Sequence, residues 1–292
     1  MLLRRLTVVL LLGLWGCNDP QVQEVADQAY QQTENIVKIG PRDPGSKGIE
    51  KVQNYIRGQV SKMGWVLQEQ HFESTTPVGK IQMKNLYFDI QGKSTKQILL
   101  VAHYDSKKID KITFVGANDA ASSVGLLLAL SPWIKSQQFT HTIRVLLVDG
   151  EEAFMHWSRN DSLYGSKAYA DQISDPSLIQ AVVVLDMISD EDLQLIRSRG
   201  SDAKLLQILE RVLKENNMQH LLDEKWSYVE DDHIPFIQKG IASLHLMDFT
   251  FGGRQTPGYY WHTEKDNMDL VSKKSLLIMT RLMMDLLPEI DL

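Results

Sequence analysis

Four short apolar runs constrain this chain more than any other feature. They are "QILLVA" at 97–102, "TIRVLLV" at 142–148, "AVVVLDM" at 181–187 and "ASLHLM" at 242–247. Each is short and almost continuously apolar, the pattern of a strand buried on both faces. Helical periodicity lies between and after them, over Asp119–Ile134, Ser162–Ile173, Ala203–Asn216 and Lys273–Leu287. Buried strands alternating with helices predict a three-layer α/β/α fold around a mixed, mostly parallel sheet. Upstream, Val22–Ile39 and Ile49–Met63 read as amphipathic helices parted by the loop "GPRDPGSKG", and "WVLQEQHF" and "NLYFDI" read as strands. No repeat or composition break divides the chain, so residues 26–292 are expected to form one domain.

Composition excludes some function classes. The 292 residues are 43% apolar and 23% charged, with a net charge of −6 and no long basic run. Nucleic-acid binding needs a clustered positive face and is not expected. The N-terminus "MLLRRLTVVLLLGLWGC" has Arg4 and Arg5 before a short apolar core, the pattern of an export signal over residues 1–16. Its end, Leu14-Trp15-Gly16-Cys17, resembles a bacterial lipobox, in which cleavage leaves a lipidated cysteine. Residues 17–25 would then be a tether. The protein would sit at the cell envelope, its domain outside the cytoplasm, held by that lipid anchor alone. Several acyl chains would anchor it stably where one would be marginal. An ordinary signal peptide with an incidental cysteine is the alternative. Cys17 is the sole cysteine, which excludes structural disulfides.

In doubly wound sheets, ligands bind beyond the carboxyl ends of the strands. Residues able to do chemistry collect there. "LLVAHYDSK" ends with His103 and Asp105, "VGANDAASSVG" carries Asp119, and "LLVDGEEAF" supplies Glu151 and Glu152. "VVVLDM" gives Asp186, "YVEDDHIPF" gives Asp231, Asp232 and His233, and "YYWHTEKDN" gives His262. Each alone has an ordinary explanation: Asp119 could cap a helix, and His103 could be a packed core residue. The joint pattern is harder to explain that way. Adjacent carboxylates at the end of a buried strand repel each other and are costly to desolvate. A divalent cation reverses that cost, because repelling acids become ligands. Mixed histidine and carboxylate ligation suits zinc. One of the two glutamates would bind the metal and its neighbour would move protons.

The segments "HYDSK", "GANDAASSVG", "DGEEAF", "WSRNDSLYGS", "LDMI", "DDHIPF" and "WHTEKDN" occur in an order that resembles zinc aminopeptidases and their relatives, the glutaminyl-peptide cyclotransferases. The resemblance covers roughly residues 98–270. "HYDSK", the run from Asp149 to Ser166, "DDHIPF" and the triplet Trp261-His262-Thr263 resemble the cyclotransferase branch in particular. That resemblance implies that Asp119, Glu152 and His262 ligate one zinc and that Glu151 is the proton shuttle. It implies an acidic hydrogen-bonded network of Asp186 and Asp231 with Glu151, and a pocket shaped by Trp157, Trp261 and His245. The implied substrates are peptides or proteins with N-terminal glutamine, converted to pyroglutamate with release of ammonia.

Two segments depart from the pattern. "GANDAASSVG" looks more like the aminopeptidase version. The stretch between His245 and His262 offers Phe249, Phe251, Tyr259 and Tyr260 as pocket aromatics without distinguishing them. Two other readings therefore stay open. A two-zinc aminopeptidase would use His103 and Asp186 for a second metal, with Glu151 activating a bridging water. A non-catalytic lipoprotein would only bind peptide or metal, and would have no need of the unliganded Glu151. No Gly-x-Ser-x-Gly elbow follows a strand, which disfavours a serine hydrolase.

Overall fold

The structure, a computed structural model, describes residues 19–292. The expected export signal and Cys17 lie outside the described residues. Helix α1 spans Pro20–Val37, with Asp19 accepting the Gln21 amide and proline at the first helical position. Val22 and Val25 of this helix are buried, so packed structure begins inside the stretch expected to be a tether. Helix α2, Lys47–Lys62, is capped by Ser46, which accepts the amides of Gly48 and Ile49.

Strands β1 (Gln68–Thr76) and β2 (Gly79–Ile90) form an antiparallel hairpin. Strand β3 is Gln97–His103, and the expected helix from Asp119 is regular only from Ser123, as α3, Ser123–Gln137. Then come β4 (Thr142–Val148), α4 (Tyr164–Gln172), β5 (Ile179–Asp186), β6 (Leu195–Ser198) and α5 (Ala203–Glu215). The chain ends with β7 (Leu222–Ser227), α6 (His233–Gln238), β8 (Ser243–Met247) and α7 (Lys273–Ile290).

Six strands make one sheet in the order β1-β2-β4-β3-β5-β8. The four strands β4, β3, β5 and β8 run parallel, and the hairpin adds an antiparallel edge. This is the expected mixed, mostly parallel sheet. The parallel pair β6 and β7 stands apart. Neither strand of the pair was foreseen, because "LIRS" and "LDEKWS" carry no sustained apolar run.

Successive side chains on a strand point to opposite faces, and β3 shows how that builds two cores. Leu100 and Ala102 join the cluster formed with α1, α2, α3, α5 and α7. Leu99 and Val101 face the other way, against Tyr169 and Ala170 of α4 and Phe236 of α6. Each fully buried leucine here stabilises the fold by about 2 kcal/mol. A sheet filled on both faces leaves its carboxyl edge as the open place for chemistry. No described helix is long and apolar enough to cross a membrane.

Candidate active site

The parallel strands end in register. His103 at the end of β3 sits beside Val148 at the end of β4, and Asp186 at the end of β5 sits beside Met247 of β8. Beyond β4 the chain turns at Gly150, whose φ is 69° and whose missing side chain makes room for Met83. That turn brings Glu151 and Glu152 back over the sheet edge. Asp105 fixes both, accepting the Glu151 amide at 3.2 Å and the Glu152 amide at 3.3 Å.

Asp119 reaches the site by a different route. It lies in an irregular turn, Ala117–Ser122, with φ −104° and ψ 90°, ahead of α3. The helix-cap explanation of Asp119 therefore fails, because the N-cap position of α3 is Ser122 and the Asp119 carboxylate faces His103 and His262 instead. The Asp119–Ala120 peptide is cis. Asp266 accepts the amides of Asn118 at 2.6 Å and Asp119 at 3.1 Å, which aims this turn. His262 enters from the last long loop with a left-handed backbone, φ 55°. Its ring stacks on Trp261 (centroids 3.7 Å apart) and meets the edge of Phe114 at 5.6 Å.

These routes bring Asp119, Glu152 and His262 together. His262 Nε2 lies 2.9 Å from Glu152 Oε1 and 3.4 Å from Asp119 Oδ2. The three ligand atoms lie within 4.8 Å of one another, so two carboxylates and an imidazole converge as a divalent metal requires. A second triad shares Asp119: His103 Nε2 is 3.0 Å from Asp119 Oδ1 and 3.4 Å from Asp186 Oδ1. His103 is fully buried, and neither of its ring nitrogens has a well-formed hydrogen bond. The donor set fits a metal at the first triad and leaves a second position chemically feasible.

Glu151 belongs to neither triad. It is 5% exposed and lines the cavity. Burial pushes its carboxyl well above the usual range; His103 opposes this, while Glu152, Asp231 and Asp232 add to it. Asp186 is pushed to about 7 by burial, with Asp119 and Asp231 also raising it and the nearby His103 ring opposing. Asp231 is likewise buried, yet His245 holds it down to about 2. Carboxyls crowded together are thus pushed in opposite directions by burial and by their neighbours.

The cavity holds about 380 Å³ and is walled by Trp157, Trp261, Phe249, Met247, Tyr228 and Val229, with the acids at its base. Trp157 stands at the rim, 39% exposed. Among the aromatics left open by sequence, Phe249 lines the wall and packs edge-on against Trp261 at 5.5 Å. Phe251 is fully buried against Tyr260, and Tyr259 points to solvent. His245 was expected to shape the pocket and does not line it. It lies behind Asp231, with Nε2 2.6 Å from Asp231 Oδ2, and is stacked on His233 at 4.2 Å.

Several contributors had no sequence signal. Arg42 is fully buried and donates to the carbonyls of Tyr104, Val115 and Gly116. Asp266 and Phe114 act from distant loops. Asp105 did carry a signal, the His-x-Asp spacing at a strand end.

A parallel-sheet edge bearing a carboxylate–carboxylate–imidazole triad beside an unliganded glutamate defines an aminopeptidase-like α/β protein. The chain belongs to peptidase family M28, whose family model matches residues 85–287. Within that family its similarity runs to glutaminyl cyclases, as the motifs implied. It is 29% identical over 276 residues to the glutaminyl-peptide cyclotransferase of Boiga irregularis, covering 80% of this chain and 73% of that protein. The structure of an Acidobacteriales bacterium glutaminyl cyclase superposes with a TM-score of 0.86 at 31% identity, covering 92% of this chain and 95% of the other. A Zn-dependent exopeptidase of Parabacteroides distasonis shares the fold at a TM-score of 0.79 and 21% identity, over 89% of this chain and 97% of that one. The fold is thus common to both chemistries, and only the site can separate them.

Proposed function

We propose that this chain is a glutaminyl-peptide cyclotransferase that closes N-terminal glutamine of peptides or proteins to pyroglutamate. Asp119, Glu152 and His262 would hold a zinc ion. When bound, zinc supplies a positive charge that polarises the side-chain amide and stabilises the charge developing on its oxygen.

The residues of the chain do the rest. The α-nitrogen attacks the side-chain carbonyl carbon, a new C–N bond forms, and the bond to the amide nitrogen breaks. Glu151 takes the proton from the attacking amine and returns it to the leaving nitrogen, so ammonia departs and the carboxylate is restored. The observation that carries this reading is Glu151 itself: buried, cavity-facing, outside both triads, with its amide fixed by Asp105. A raised proton affinity suits a group that must both accept and donate. Glu152, Asp231 and Asp232 surround it with negative charge. Trp157, Trp261 and Phe249 give the cavity apolar walls, which suits a reaction that needs no water.

The test is incubation of purified protein with Gln-led and Leu-led peptides, with and without a chelator, followed by mass. Loss of 17 Da from the Gln-led peptide alone is expected (the mass of ammonia, by the stoichiometry of ring closure). Release of free leucine would favour the second reading, a two-metal aminopeptidase. One observation supports that alternative: the His103–Asp119–Asp186 triad shares Asp119 with the first. Metal stoichiometry separates the two. We also propose that Cys17 carries a lipid; Cys17→Ser should move the protein out of the membrane fraction.

A further inference from the structure

We propose that Lys107 is a positioning residue for the metal: its ammonium restricts Glu152 to ligation through one oxygen and sets how tightly zinc is held. This rests on the assignment of Glu152 as a ligand.

The two oxygens of Glu152 face different partners. Oε1 lies 2.9 Å from His262 Nε2, on the side where the triad converges. Oε2 lies 3.3 Å from Lys107 Nζ. The ammonium is itself pinned, donating to the Ala153 carbonyl at 2.8 Å, so it is no free surface charge. The Lys107 side chain is 18% exposed and the Glu152 side chain 3%, which weakens solvent screening of the pair. The backbone of Glu152 is fixed independently by Asp105. Asp105 therefore sets where Glu152 starts, and Lys107 sets which way its carboxylate turns.

Charge balance points the same way. Asp119, Glu151, Glu152, Asp186, Glu230 and Asp231 line the cavity, and among the described residues no lysine or arginine lines it. Arg42 lies close enough to feel Asp119 and Glu152, but its guanidinium donates to backbone carbonyls. Among the described residues, Lys107 is the lysine that contacts the Glu152 carboxylate. Its hydrogen bond draws Oε2 away from the triad, so a two-oxygen grip by Glu152 would compete with it. Hydrogen bonds to ligating side chains typically govern metal affinity by 10–100-fold.

The experiment is a competition titration of Zn²⁺ against a chromophoric chelator for the wild type, Lys107→Met and Lys107→Arg, with the visible spectrum of each Co²⁺-substituted protein. Lys107→Met should weaken zinc binding by about 10–100-fold and change the cobalt spectrum, because the carboxylate is free to turn. Lys107→Arg keeps a cation within reach of Oε2 and should recover most of the affinity. Thermal melts of both variants separate this from misfolding: a folded Lys107→Met with wild-type zinc affinity and an unaltered cobalt spectrum overturns the proposal. Zinc binding is read without turnover. Wild-type protein that binds zinc but forms no pyroglutamate would sink the proposed activity and leave this inference standing.

Discussion

Asp266 accepts the backbone amide of Asp119 at 3.1 Å, across 147 positions of sequence. Its other oxygen takes the Asn118 amide at 2.6 Å. A carboxylate outside both triads thus aims the one residue they share. Asp266→Asn replaces one acceptor oxygen with an NH₂ that confronts a backbone N–H. Stability should fall by about 1–3 kcal/mol and zinc affinity by about 10–100-fold. Denaturant melts and chelator competition read the two effects separately.

Glu151 and His262 should fail in opposite ways. Glu151→Gln keeps the triad intact, so zinc content should be unchanged while kcat falls by at least about 10²–10⁴-fold. His262→Ala removes a ligand, so zinc content itself should drop. Elemental analysis beside single-turnover assays checks both. Substantial turnover by Glu151→Gln would remove it as the proton carrier.

Arg42 is a fully buried cation whose guanidinium holds three carbonyls beneath the site and lies near Asp105, Asp119, Glu152 and Asp266. Arg42→Met strips those carbonyls of partners and leaves the acids uncompensated. The expected loss is about 3–5 kcal/mol, read as a lower midpoint in urea. A change below about 1 kcal/mol would show that water replaces the guanidinium.

Asp161 sets up an acid-side dependence. Although burial opposes it, the amides of Met155, Phe154 and His156 hold its carboxyl below the ordinary 3.8, with help from the Tyr164 hydroxyl. A depressed native value means that the unfolded chain binds the proton more readily. This contribution is full above about pH 4 and is lost as pH falls through the native value. Asp161→Asn should flatten that acid limb in melts carried downward from about pH 4. The same amides order the approach to Trp157 at the cavity rim, so this variant should raise KM more than it lowers kcat.

The sequence was most informative where chemistry and strand ends coincide. "LLVDGEEAF" exposes Glu151 and Glu152 because buried runs have no other reason to end in paired acids. Asp119, Asp186 and His262 were legible through local motifs. Asp266, Phe114 and Arg42 were not, since each acts through contacts with loops remote in sequence. His245 shares a face of β8 with the cavity-lining Met247 but reaches the cavity through Asp231, a depth along the strand that the sequence does not show. The β6–β7 pair escaped notice for want of periodicity, yet the segment following β7 supplies Tyr228, Val229 and Asp231 to the cavity.

Asp119 offers one oxygen to His262 and the other to His103. The carboxylate is therefore a hinge point between two catalytic designs. Engineering toward hydrolysis would begin at His103 and Asp186 and could leave the Glu152–His262 half untouched, so a lineage could trade ring closure for bond cleavage without rebuilding its scaffold.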